Sequence, residues 1–214
     1  MKLNILCVGN SLLHHAPSDE VSWDGDWGMA ASCAENDYYH ILQKLLRKKY
    51  PDVDFEFCEN GVYRFESAIK KDESEDYTDI FNGMFAKSLD IMTPDIVVLQ
   101  MGDNCPHDET SDLAYAHAIK QAVDYFRKIN HKITVVLCLP WYGEMIDSKH
   151  IGTLIAARDT KSPYVDLTVL STDENKALGK FSHTGVQSHP GNRGMEKIAE
   201  TLCSAISKTI DSNF

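Results

Sequence analysis

The stretch "DIVVLQMG", Asp95 to Gly102, decides how this chain folds. Apolar residues occupy odd and even positions alike, with Gln100 the one polar interruption before Gly102. A strand with one wet face would alternate. A run without alternation belongs to a strand covered on both faces, as in a parallel sheet with helices above and below. "KITVVLCLP" (Lys132–Pro140) repeats the pattern, and "LNILCVG" (Leu3–Gly9) is a shorter apolar block of the same kind. "VDFEFCE" (Val53–Glu59) alternates and reads as a fourth strand, and "YVDLTVL" (Tyr164–Leu170) as a weaker fifth.

Between these runs the apolar period changes to that of helices. In "NDYYHILQKLLRKKYP" (Asn36–Pro51), Tyr38, Ile41, Leu42, Leu45 and Leu46 share one face, and basic residues close the segment ahead of a proline. Helical patterns follow at Tyr77–Met92, at Ser111–Asn130 with Ser111 as cap, at Asp147–Thr160 and at Asn192–Ile210. The alternation predicts an α/β fold, a five-stranded parallel sheet with helices on both faces, as one domain over residues 1–214.

Composition removes several function classes. The formal net charge is −11 over 214 residues, so neither nucleic acid nor an anionic membrane is an expected partner. The N-terminal apolar run is short and reads as a first strand, not a signal peptide. The six cysteines are scattered without a C-x-x-C pair, which fits neither a zinc site nor a disulfide scaffold. A reducing, cytoplasmic setting is the expectation, export after processing remaining open. His14, His15, Asp19 and His107 match no metal-ligand spacing, and no metal or cofactor is expected.

In an open parallel sheet, ligands bind beyond the carboxyl ends of the strands. Three polar sets fall there. Gly9, Asn10, Ser11, His14 and His15 follow the first strand. Gly102, Asp103, Asn104, Cys105 and His107 follow the third. "SHTGVQSHPGNRG" (Ser182–Gly194), with His183 and His189, precedes the last helix. A serine hydroxyl needs a base to become a nucleophile, and an imidazole suits that task. Fixed N–H donors must then meet the oxyanion. Ser11 through its own N–H, Asn104 through its amide and His189 as base can fill these roles. A long loop, His14 to Glu35, interrupts the first crossover, and loops of that length in compact domains are usually functional or disordered, its two Trp arguing against disorder.

These blocks resemble a known family. "GNSL" (Gly9–Leu12), "GDN" (Gly102–Asn104) and "HPGNRGMEKIAE" (His189–Glu200) are similar, in order and in position after their strands, to the GDSL, G-x-N and closing His-Pro blocks of the SGNH hydrolases, or GDSL-type esterases. The resemblance spans nearly the whole chain. It implies a flavodoxin-like three-layer sandwich and ester hydrolysis through an acyl-serine, with Ser11 as nucleophile and donor, Asn104 as second donor and His189 as base. The chain also departs from the pattern. Asn10 replaces the usual Asp, and Cys105 the Asp that often follows Asn104. Phe65 stands where a donor glycine belongs, leaving its backbone N–H as the candidate. Val186 stands where an Asp would orient His189, so a backbone carbonyl or a carboxylate from another loop must do so.

His14, Trp27, Trp141 and Tyr63 are candidate pocket residues, the Trp side chains as a stacking wall for a sugar or acyl group, with Arg64 a weaker neighbour. The Trp residues equally suit loop packing, and His183 a place at the surface. The expected substrate is a small-molecule ester or acylated carbohydrate. Two rivals stand. One is a non-catalytic binding module on the same fold, favoured by the absent Asp. The other is a nucleotide or flavin binder, disfavoured because no Gly-rich cradle follows the first strand.

Overall fold

A computed structural model of the protein describes residues 1–70, 73–105, 111–142 and 147–213. The strands are β1 (Lys2–Gly9), β2 (Asp54–Gly61), β3 (Ile96–Gln100), β4 (Thr134–Leu139) and β5 (Tyr164–Asp166). The helices are α1 (Tyr38–Lys49), α2 (Tyr63–Glu66), α3 (Thr78–Ile91), α4 (Asp112–Ile129), α5 (Ser148–Thr160), α6 (Thr184–Gln187) and α7 (Asn192–Asn213). All five strands pair in parallel in the order β2-β1-β3-β4-β5. That order is the flavodoxin-like one, and its switch point lies between β1 and β3.

The non-alternating strands are buried on both sides. Every residue of β3 is buried. Leu3, Ile5 and Cys7 of β1, Val98 of β3 and Val136 of β4 face α1 and α7, packing with Leu42, Leu46, Ile198, Leu202 and Ile206. Leu6, Val8, Val97, Leu99, Val135 and Leu137 face the other way, onto Phe81 and Phe85 of α3, Ala118 and Ala122 of α4 and Ala156 of α5. Each fully buried aliphatic side chain contributes roughly 1.5–3 kcal/mol, so the two layers hold the sheet from both sides.

Local chemistry sets the helix starts. Asp37 caps α1 by accepting from the His40 N–H, and Ser111 caps α4 by accepting from that of Ala114. The fifth strand is shorter than its pattern. After Asp166 the chain turns into a 3-10 segment, Thr168–Leu170. All six cysteines are free, and Cys7, Cys105 and Cys138 are buried, as small apolar residues are. Among the described residues no helix is long and apolar enough to cross a membrane.

Candidate active site

At the end of β1, Gly9 is pressed between two neighbours. A Cβ there would come within 2.7 Å of Leu13 Cβ and 2.9 Å of Gln100 Oε1. This close approach lets the chain turn at once, with the N–H groups of Leu13 and His14 donating to the Asn10 carbonyl at 2.9 and 3.2 Å. Ser11 sits in that turn. The amides beside it are taken: Asn10 N–H donates to Gln100 Oε1 (3.2 Å) and Leu12 N–H to Asn10 Oδ1 (3.1 Å). The Ser11 N–H has no acceptor among the described residues.

His189 comes to Ser11 from the far end of the chain. Its Nε2 lies 2.8 Å from Ser11 Oγ across 178 residues of sequence. On the other side of the ring, Nδ1 lies 2.7 Å from the Gly185 carbonyl and 2.8 Å from the Tyr142 hydroxyl. The carbonyl can only accept, so Nδ1 carries the proton and Nε2 is left to accept from Ser11. Of the two alternatives for the missing Asp at Val186, the structure has the backbone carbonyl, joined by a phenol. Ser188 Oγ, 2.7 Å from the Gly185 carbonyl and 3.2 Å from the Tyr142 hydroxyl, ties the pair together. Burial holds His189 down at about 4, against the hydrogen bond to Gly185, with His15 lowering it further.

Asn104 reaches the same rim from the end of β3. Ser11, His189 and Asn104 line one cavity of about 390 Å³, together with Gly9, Val21, Met29 and Val62. Behind it lie two carboxylates. Glu66, fully buried at the end of α2, accepts from Asn104 Nδ2 (2.8 Å), Gly102 N–H (2.6 Å) and Asn10 Nδ2 (3.3 Å). Asp103 accepts from Asn10 Nδ2 (2.9 Å), Gln100 Nε2 (2.8 Å) and Tyr142 N–H (2.8 Å). Desolvation pushes Asp103 up to about 7, the Asn10 bond opposing and the Glu66 charge adding to the rise. Burial raises Glu66 as well, against its hydrogen bonds from Asn104, Gly102 and Asn10. Asn10 therefore stands between two acids and donates to both. An Asp at position 10 would be a third carboxylate with no proton to give, which accounts for the departure at this position.

His14 and Tyr63 border the cavity, and Tyr63 is 68% exposed at its lip. Three other assignments need correction. The Phe65 N–H is spent on the Val62 carbonyl (2.9 Å), because the chain after β2 winds directly into α2. Its ring is packed edge-on against Tyr77 and Phe81. Trp27 donates to the Ala31 carbonyl, packs against both its own loop cluster and the main core, and does not line the cavity. Trp141 is wholly buried and donates to the Ser188 carbonyl (3.0 Å), propping the segment that carries His189. His107 lies outside the described residues.

The long loop after Ser11 is ordered by a small apolar cluster of its own, Trp23, Met29, Ala30, Ala177 and Val186. Trp23 packs on Trp27 at 5.7 Å and on Phe181 at 5.8 Å between centroids. Met29 N–H donates to the Ser11 carbonyl (2.9 Å), and Ser32 N–H to Asn192 Oδ1 (2.9 Å). This cluster joins the segment after the serine to the segment before the histidine.

Sequence reading did not find Glu66 or Tyr142; it placed Asp103 at the rim without a role, and it allowed for a backbone carbonyl at His189 without pointing to that of Gly185. A carbonyl leaves no mark in a sequence, and Glu66 sits among apolar residues with no motif to single it out. Among the described residues, no group of three or more His, Cys, Asp or Glu is placed to hold a metal ion.

No protein-family model and no curated protein matches the chain. Its fold is shared with solved structures at low identity. A two-domain esterase (CEX) active on acetylated mannans, co-crystallised with mannopentaose, is 16% identical with a TM-score of 0.57, covering 99% of this chain and 50% of that one. A lipase/acylhydrolase from Enterococcus faecalis is 15% identical (TM-score 0.55), covering 97% and 96%. The acetyl xylan esterase Est2A from the rumen bacterium Butyrivibrio proteoclasticus is 15% identical (TM-score 0.58), covering 98% and 64%. The chain thus spans about half the length of the mannan esterase. What these similarities establish is the architecture: an all-parallel, five-stranded α/β sandwich of the kind found in esterases and acylhydrolases.

Proposed function

We propose that this chain hydrolyses carboxylic esters through an acyl-serine intermediate, as SGNH-type esterases do. The observation that carries the reading is the 2.8 Å contact between Ser11 Oγ and His189 Nε2 at the switch point of the sheet. In this mechanism His189 Nε2 takes the hydroxyl proton as Ser11 Oγ attacks the ester carbon. The oxyanion is met by the Ser11 N–H and by the Asn104 amide, each such donor being worth about 2.7–4 kcal/mol in other enzymes. The Gly185 carbonyl and the Tyr142 oxygen hold the imidazolium, which returns its proton to the leaving alcohol. Water, deprotonated by His189, then releases the acid.

Acetyl groups on a carbohydrate are the proposed substrate. Support comes from Tyr63, exposed at the cavity lip, and from solved structures of this fold, an esterase active on acetylated mannans and an acetyl xylan esterase. The alternative, a binding module, draws on the lack of a carboxylate at His189. A serine-directed fluorophosphonate separates the two. The expected result is one covalent adduct per chain, mapped to Ser11 by peptide mass; an unmodified protein would sink the esterase reading.

The depressed pKa of His189 sets the pH profile. A base held at about 4 stays neutral well into acid, so kcat/KM for a neutral ester is expected to be level from pH 7 down to about 5.5 and to fall through about pH 4. A midpoint near 6.5 would show that the ring is not desolvated. The thermal midpoint is followed alongside, because shifted groups also make stability depend on pH. His189, lowered in the fold, favours folding above 6.5 and loses that contribution as pH falls toward 4. Asp103, raised to about 7, favours folding below 3.8 and loses its contribution as pH rises through 7. Between pH 4 and 6.5 the two offset one another.

A further inference from the structure

We propose that Glu66 is a positioning residue for this reaction, its buried carboxylate fixing the Asn104 amide so that one N–H of that amide is presented to the oxyanion. The proposal rests on the Ser11 ester-cleavage reading above.

Glu66 Oε2 takes one hydrogen of Asn104 Nδ2 at 2.8 Å. A primary amide has two, held in a plane about 120° apart, so the second is directed away from Glu66 while Asn104 borders the cavity. The choice of partner matters. Burial raises Glu66, but the N–H groups of Asn104, Gly102 and Asn10 that converge on its two oxygens favour the ionised form. In that form it only accepts, and so excludes the flipped amide, in which Oδ1 would face Glu66 and a lone pair would face the oxyanion in its place. A glutamine at position 66 would tolerate either orientation. The other oxygen, Oε1, takes the Gly102 N–H at 2.6 Å and Asn10 Nδ2 at 3.3 Å. One side chain on the segment after β2 thereby binds the loops after β1 and β3. Burying this charge beside Asp103 is costly, and a neutral side chain of the same shape would avoid that cost. What the carboxylate adds is an acceptor with a fixed sense.

The test is a cycle with Asn104, using a short acyl nitrophenyl ester and Ser11→Ala as control. Glu66→Gln is expected to lower kcat by about 10- to 100-fold with KM within about twofold, somewhat less than the ~10²–10³ that loss of a whole donor costs. In an Asn104→Ala background the same change is expected to cost less than about twofold, because the amide is gone and the glutamine carbonyl can still accept from Gly102 N–H and Asn10 Nδ2. Glu66→Asp, which keeps the charge but falls a methylene short, is expected to show the same coupling. An equal loss with and without Asn104 would overturn the proposal, as would failure of both Glu66 variants to fold, since Glu66 would then be structural. Should the wild-type protein show no Ser11-dependent turnover, the esterase reading itself falls, and the proposal with it.

Discussion

Ser11→Ala is expected to reduce ester turnover by about 10⁴-fold or more and leave the fold in place. The size of the effect follows from the chemistry. Removing Oγ removes the hydroxyl that lies 2.8 Å from His189 Nε2 and would attack the carbonyl, and what remains is an imidazole and a set of donors. The structural cost is small because Oγ fills no core space; the turn around Ser11 is held by the Asn10 carbonyl and side chain instead. Comparing kcat/KM with the thermal midpoint checks both halves. Retained turnover in the variant would remove Ser11 from the mechanism.

Gly102→Ala is expected to strike both stability and activity. Gly102 has φ +117°, a conformation that costs an L residue about 1–3 kcal/mol. Its Cβ would also lie 2.7 Å from Pro140 Cγ and 2.7 Å from the hydroxyl of the fully buried Tyr115, adding an overpacking cost of about 1–3 kcal/mol. Together these give a loss of about 2–6 kcal/mol, or very roughly 10 °C in Tm for a chain of this size. The backbone that yields is the one carrying Asp103 and Asn104, and an ångström of displacement there is expected to cost about 100-fold in kcat. Chemical denaturation and steady-state kinetics on the same preparation test the two effects. A variant with wild-type stability and rate would show that this backbone can relax freely.

The layers of this protein are legible in its sequence for a simple reason: β3 and β4 lack alternation, and only a sheet covered on both faces permits that. The helix caps at Asp37 and Ser111 follow from side-chain chemistry alone. The site is legible only where function rests on side chains that a strand end delivers, as with Ser11 and Asn104. It is illegible where function rests on backbone or on depth. Phe65 illustrates the first case. Whether its N–H is free depends on the turn after β2, and α2 consumes it. Trp141 illustrates the second, since an aromatic residue next to a rim reads the same whether it faces the ligand or the interior. Asn10 is the instructive intermediate. As a departure from a family pattern it looks incidental, and it acquires meaning only beside Glu66 and Asp103, which lie 56 and 93 residues away.

The apolar cluster around Trp23 has a consequence for how the molecule would fail. This satellite core bridges the segments that carry Ser11 and His189, and as a small cluster outside the two main layers it belongs to the low-stability end of the molecule's opening modes. A sub-global fluctuation that separates its two segments would part the catalytic pair while the strands stay protected from hydrogen exchange. On warming, loss of turnover is therefore expected ahead of the unfolding of the sheet, with the melting of that annex setting the operating limit.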